Sequence, residues 1–315
     1  MRRPVQRSHQ NLPVFDVNSQ QWSVLMSVEL PDAERMRAVG MSVSTAAWDG
    51  YDWPDIFSSM ARLNITDVEL AFIKGYVNEF TDADLNAELA KRLCELMAQY
   101  GQRCTVLSAH IDLGEPGAAE SMAVRIRFAA ALGARYLISN ASSLAGREYF
   151  EQGLDHMMAA AREAGVKLLF ENPGDGSDNV INQASELATL TERLDASVTG
   201  INYDPGNLIS HRPALSPVDD ALKAIPQSDH LHLKAVSRKQ DGYHFGALGT
   251  GDIDYAPIVE ALAARRLPFS LELPFRLRRD EHAQPNKLAE PLPLEEIERG
   301  VAASLYWMAQ NHPAL

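Results

Sequence analysis

Four side chains able to bind a metal stand at or near the ends of apolar runs in the second half of this chain. Val166-Lys-Leu-Leu-Phe closes on Glu171, Val198-Thr-Gly-Ile-Asn-Tyr on Asp204, His230-Leu carries His232, and Pro268-Phe-Ser-Leu closes on Glu272. Successive members are 33, 28 and 40 residues apart, room for one strand, one helix and their loops per step. Any one of them alone reads equally well as a strand-end residue in a surface ion pair. Four consecutive strands ending alike point to one shared divalent ion. One imidazole with three carboxylates is a mostly hard donor set, suited to Mn²⁺ first, or to Mg²⁺ or Co²⁺, rather than to a structural zinc.

The elements that would carry these residues follow a βα rhythm. Strands are expected over 37–47, 65–72, 103–112, 135–139, 166–171, 198–203, 228–234 and 268–273. Helices are expected between them over 52–63, 81–100, 118–132, 149–164, 183–194, 217–224 and 252–266, with a last amphipathic helix over 294–310. Pro54 suits a first helical turn and Thr81 an N-cap, and Gly101, Gly133 and Gly165 suit helix ends. Eight alternations without a linker predict a parallel α/β fold, a single-domain (β/α)8 TIM barrel over 37–315 preceded by an N-terminal arm over 1–36. An open doubly wound sheet is the competitor, but no Gly-x-Gly-x-x-Gly follows the first strand. In a barrel the C-terminal ends of all strands converge, so the four residues would meet at one mouth.

Composition narrows the partners. A net charge of −13 opposes non-specific nucleic-acid or anionic-membrane binding. Cys94 and Cys104 cannot build a disulfide framework and lack metal-site spacing, which fits a reducing compartment. The Arg2-Arg3 start lacks an apolar stretch behind it, and no run reaches the ~18 apolar residues of a membrane span, so a cytoplasmic location is expected.

Phe170-Glu171-Asn172, Tyr203-Asp204-Pro-Gly-Asn207, His230-Leu-His232-Leu-Lys234, Gly249-x-Gly251-Asp-Ile-Asp254-Tyr and Leu271-Glu272 together resemble the xylose-isomerase-like barrel superfamily. That superfamily of sugar phosphate isomerases/epimerases includes tagatose/psicose 3-epimerases, hydroxypyruvate isomerase and inosose dehydratase. The resemblance implies that Glu171, Asp204, His232 and Glu272 are the metal ligands. It also implies that Glu171 and Glu272 act as paired acid and base on a keto-sugar or related hydroxy-carbonyl compound through a metal-stabilised enediolate. His110, at the end of the third strand, resembles a substrate-side or general-base histidine. Three departures stand out: Asn207 replaces a usual histidine, Ala235 follows Lys234 where aspartate is common, and Pro173 follows Asn172 where histidine is common. They keep open a lyase or dehydratase, including the metal subunit of a C-glycoside deglycosidase, which starts from the same enolate. An endonuclease-IV-like phosphodiesterase would need more histidines, one of them at Asn207, and a non-enzymatic barrel would not need the four-residue set.

Further candidates for substrate contact are Lys234, Asn207, Glu69 and Arg238. Glu69, inside an apolar strand, needs either substrate or a buried ion-pair partner. His230, two residues before His232, shares its strand face one layer deeper. Trp48, Trp53 and Phe72 suit core packing or an apolar wall. Arg276, Arg278 and Arg279 invite a phosphate reading, but no Gly-rich anion cradle accompanies them, so an unphosphorylated substrate is expected. His156 and His211 read as surface residues. A carbohydrate substrate, a homo-oligomer and room for a small partner subunit complete the expectation, with the arm and the 279–293 segment as oligomer contacts or lid.

Overall fold

The computed structural model describes residues 30–73 and 80–315. Its strands in chain order are β1 (Met41–Ser44), β2 (Asp67–Ala71), β3 (Arg103–Ser108), β4 (Tyr136–Asn140), β5 (Lys167–Glu171), β6 (Thr199–Tyr203), β7 (His230–Leu233), β8 (Ala235–Lys239), β9 (Gly242–Gly246), β10 (Phe269–Leu271), β11 (Leu277–Arg279) and β12 (Pro285–Lys287). Strands β1 to β7 and β10 close a parallel barrel in which β10 pairs with both β1 and β7. The helices are α1 (Ala33–Ala38), α2 (Trp53–Arg62), α3 (Ala87–Gln99), α4 (Ala118–Leu132), α5 (Arg147–Ala164), α6 (Leu187–Thr191), α7 (Pro205–His211), α8 (Pro217–Ala224), α9 (Ala256–Arg265) and α10 (Leu294–Asn311). This is the expected (β/α)8 architecture.

Local chemistry explains the boundaries. Gly133 and Gly165 end α4 and α5 in the left-handed region, at φ 77° and 67°, where a side chain would be strained. Helix α10 buries Ile297, Val301, Leu305 and Met308 as one stripe, each side chain contributing about 1.5–3 kcal/mol by leaving water. Strand residues alternate between the barrel axis and the helices. Leu168 and Phe170 of β5 join the large core under the helices, while Leu169 packs with Val106, Tyr136 and Ile138 in a separate small cluster. On the same parity Glu171 and, in neighbouring strands, Asn202, His230, His232 and Ser270 turn toward the axis.

Several expected elements differ. The first strand begins at Met41, because residues 33–38 form α1: Asp32 caps it by accepting from Arg35 N at 2.8 Å. Most of the expected arm lies outside the described residues. Asn86, rather than Thr81, caps α3 by accepting from Leu89 N at 3.0 Å, while the Thr81 hydroxyl donates to Asp84. Residues 183–194 form a short 3-10 turn followed by α6 instead of one helix. Helix α7 was not expected, nor was the antiparallel sheet β12-β11-β9-β8, which occupies much of the run after β7 and takes in Arg279 and Pro285–Lys287 of the 279–293 segment. No described helix is long and apolar enough to cross a membrane.

Candidate metal centre

Glu171 ends β5, Asp204 directly follows β6, His232 lies in β7 and Glu272 directly follows β10. One donor atom from each lies within 4.8 Å of all the others, and all four side chains are buried. Asp204 is oriented by its second task as N-cap of α7: Oδ1 accepts from Gly206 N at 2.8 Å and Asn207 N at 3.2 Å. Pro205 at the first helical position favours that turn. Asn172 braces the same corner, donating to the Asp204 carbonyl at 2.9 Å and accepting from Asp204 N at 2.8 Å.

His232 sits at the centre of the charge. Its Nε2 is 3.0 Å from Glu69 Oε2, and its Nδ1 is 3.2 Å from Glu171 Oε2, 3.5 Å from Glu272 Oε2 and 4.0 Å from Asp204 Oδ2. If Nε2–H donates to Glu69, the Nδ1 lone pair faces three carboxylates. Nδ1, Asp204 Oδ2 and Glu272 Oε2 make no hydrogen bond within the described residues, although Lys234 Nζ is ion-paired to both carboxylates, 2.6 Å from Asp204 Oδ2. A lone pair opposed to three anions is repulsive unless a proton or a cation lies between them. The donor set therefore fits one divalent cation, with Glu69 orienting the imidazole from behind, as carboxylates do for metal-bound histidines.

The titration shifts express the same crowding. Burial opposes the charged imidazole of His232, but Glu69, Glu171 and Glu272 outweigh it and hold the ring well above the usual histidine range. Burial, reinforced by Glu171 and Glu272 against the pull of Lys234, pushes Asp204 up to about 6. Burial also acts to raise Glu171 and Glu272, yet nearby His232 and Lys234 hold both below the usual carboxylate range. Both glutamates are therefore ionised at neutral pH.

A ring of amides and cations frames the cluster. Glu171 Oε2 accepts from Asn202 Nδ2 and Oε1 from Asn207 Nδ2, each at 2.9 Å. Asn207 Oδ1 in turn accepts from Lys234 Nζ at 3.3 Å and Arg279 Nη2 at 2.9 Å. His110, partly exposed, lies 3.7 Å from Glu171 Oε2 and bonds to Ser108 and Asn140. Lys234, Asn207, Glu69 and His110 thus all gather at the cluster. Glu69 is buried with its carboxylate on His232, so of its two readings the ion-pair partner is present. Arg238 is not among them. It is exposed on β8, with its guanidinium 5.6 Å from the ring centre of Tyr243.

Other expectations change with burial. His211 is buried, not at the surface, with Nε2 2.8 Å from Asn182 Oδ1, because α7 tucks it inward. His156 is exposed. Trp48 is core, its indole N–H donating to Ser59 at 2.8 Å. Trp53 stacks on Phe72, centroids 5.5 Å apart, and with Phe80 they line a cavity of about 470 Å³ beside the first two strand ends. Asn202 and the inward turn of Arg279 were missed. Asn202 shares strand parity with Asp204 and could have been read from it.

A family model described as "Xylose isomerase-like TIM barrel" matches residues 57–292. Among solved structures, D-psicose 3-epimerase with D-tagatose from Clostridium cellulolyticum H10 is 15% identical, with 86% of this chain and 99% of that one covered at a TM-score of 0.67. A xylose isomerase-like TIM barrel protein from Mycobacterium smegmatis in complex with magnesium is 16% identical over 89% and 98%, at 0.63. D-allulose 3-epimerase from Methylomonas sp. in complex with D-allulose is 14% identical over 90% and 99%, at 0.62. Among curated proteins, none matches by sequence.

Proposed function

The chain belongs to the xylose isomerase-like TIM barrel family, and on that premise we propose that it is a divalent-metal-dependent isomerase or epimerase of a keto-sugar or related hydroxy-carbonyl compound. The observation that carries this reading is the buried set Glu171, Asp204, His232 and Glu272 with donor atoms within 4.8 Å of one another. Mn²⁺ is the ion of choice for so hard a set, and the magnesium of the mycobacterial relative is in keeping with it. Once bound, such an ion supplies a Lewis acid that acidifies the C–H beside a carbonyl and stabilises the charge left on oxygen.

The chain's own residues do the rest. Glu171 and Glu272, both held ionised by His232 and Lys234, are the proton carriers. One carboxylate takes the proton from carbon, and the other, once it has taken up a proton from solvent, gives that proton to the opposite face and inverts the centre; return of the abstracted proton to the neighbouring carbon moves the carbonyl instead. Asn202 and Asn207 fix the Glu171 carboxylate, and Lys234 fixes that of Glu272. His110, beside Glu171 and the least buried of these groups, relays the proton. Two of the structural relatives, a D-psicose 3-epimerase and a D-allulose 3-epimerase, are in keeping with this reading.

The test is a mass-resolved assay of the Mn²⁺-loaded protein on a panel of keto-sugars in D₂O. Uptake of one deuterium with an otherwise unchanged formula is expected. Loss of water or of an aglycone would move the assignment to a lyase. A purified protein that neither holds nor takes up metal would refute the reading altogether.

A further inference from the structure

Three lysine or arginine side chains are buried among the described residues: Arg125, Lys234 and Arg279. Arg125 is ion-paired with Asp82 at 2.8 Å, and Lys234 with Asp204 and Glu272. Arg279, 8% exposed, has no carboxylate within ion-pair distance among the described residues. Its fork is held by neutral groups alone: Nη1 donates to Ser210 Oγ at 2.8 Å and Nη2 to Asn207 Oδ1 at 2.9 Å, and its Cζ lies 5.3 Å from the ring centre of Phe245. Four carboxylates act on it from beyond ion-pair distance, Asp204, Glu272, Asp175 and Glu171; Asp175 accepts from Ser177, and the other three serve His232, Lys234 and the metal position. A buried guanidinium without an anion is costly, and its flat fork is shaped for a carboxylate or phosphate.

Its position is built rather than incidental. The antiparallel sheet carries Arg279 over the barrel mouth, whereas its neighbours on the same segment turn away: Arg276 to Asp49 and the Ala289 carbonyl, Arg278 to the carbonyls of Phe275 and Leu277. Gly174 leaves the space that the guanidinium fills, since a Cβ there would collide with it. Asn207 links the two ends of the site, with its oxygen on Arg279 and its nitrogen on Glu171. The guanidinium is thus one amide group and two hydrogen bonds away from Glu171, a separation that lets it serve a part of a sugar-sized molecule other than the one held at the four donors.

We propose that Arg279 is the specificity-determining residue for an oxyanion, a carboxylate or phosphate, at the end of the substrate remote from its carbonyl. The inference rests on the isomerase/epimerase reading for where the carbonyl binds. The substrate is then an acidic or phosphorylated keto-sugar, which departs from the neutral one expected from sequence.

Three compounds with one carbon skeleton test it: D-fructose, D-fructuronate and D-fructose 6-phosphate, titrated calorimetrically into the Mn²⁺-loaded protein. At least one anionic compound should bind about 10- to 100-fold tighter than D-fructose, the range expected for a charge-assisted pair. Which of the two gains identifies carboxylate or phosphate. Arg279→Met should collapse that ratio. Gly174→Ala, which keeps the charge but displaces the guanidinium, should reduce it as well. Equal binding of neutral and anionic compounds by the unaltered protein overturns the proposal without need of any variant, and so does a ratio that survives in a folded Arg279→Met. Deuterium exchange into the same compounds is scored separately: an Arg279-dependent ratio without exchange keeps the anion site and counts against the isomerase reading for these compounds, and exchange without the ratio keeps the isomerase reading and overturns the anion site.

Discussion

His230 and His232 lie on one face of one strand with ring centroids 5.8 Å apart, yet they titrate in opposite directions. Both are buried. The hydrogen-bond partners of His230 are neutral: Nδ1 is 2.7 Å from Asn202 Oδ1 and Nε2 is 3.3 Å from Ser270 Oγ. Burial, helped by repulsion from His232, drives it well below the usual histidine range. One layer up, four carboxylates surround His232 and drive it the other way. Depth along the axis therefore separates a neutral hydrogen-bonding layer from a charged one, and burial is equally complete in both. What differs is the partner each ring finds, which decides whether a buried imidazole is a strut or a metal ligand.

The layers are joined. Asn202 donates its amide to Glu171, so its oxygen must accept, and His230 Nδ1 carries the proton that satisfies it. The neutral layer thereby fixes the rotation of an amide that fixes a carboxylate of the charged one.

The largest expected break lies in the charged layer. Glu171→Gln or Glu272→Gln should lower kcat by about 10²–10⁴-fold with an unchanged circular dichroism spectrum, since each removes a proton carrier without removing volume; near-normal turnover in both would sink the acid/base pair. Next, His232→Gln should abolish stoichiometric Mn²⁺ binding by elemental analysis, whereas His230→Gln should retain the metal. Equal loss in both would erase the distinction between the layers. Glu69→Gln, which weakens the brace behind His232, should cost about 10–100-fold in Mn²⁺ affinity, the usual range for such partners, read by competition with a chelating dye.

pH sharpens the contrast further. In the metal-free chain His232 holds a proton at a raised pKa, so the stability that proton supplies is present below the ring's unfolded pKa and lost as pH rises through the folded one. Asp204, pushed up to about 6, is penalised once ionised, so it also lowers metal-free stability as pH rises from its unfolded value through that point. Metal binding must displace both protons. The melting-temperature gain from Mn²⁺ should therefore grow from about pH 5 to about pH 8, with Glu171 and Glu272 already ionised throughout. A gain that is flat or falls over that window would contradict the protonated His232.

Much of this was legible before the fold. Glu171, Asp204, His232 and Glu272 stood out because strand-end polar residues repeat once per βα unit, and parity placed His230 one layer below His232. Helix α7 had a readable start in Asp204-Pro205, an N-cap followed by a proline suited to the first turn. The β8–β9 hairpin had one in Asp241-Gly242 ahead of the alternating Tyr243 and Phe245, although the register Lys239↔Gly242 makes Gln240 and Asp241 the loop residues. The expected elements leave 204–216 and 235–251 without a strand or helix, so both starts went unread. Arg279 offered only a shared signal: with Arg276 and Arg278 it invites a phosphate reading, and nothing in the sequence distinguishes it from the other two.

The sequence alone determined the barrel and the identity of its four converging donors, because hydrophobic periodicity and strand-end chemistry are local and repeat down the chain. Only the tertiary structure decided that Glu69 backs His232, that Asn202 and Asn207 hold Glu171, and that Arg279 turns inward without an anion. Those facts depend on which side chains meet across the axis from residues as far apart as Glu69 and His232, and no local pattern encodes that distance.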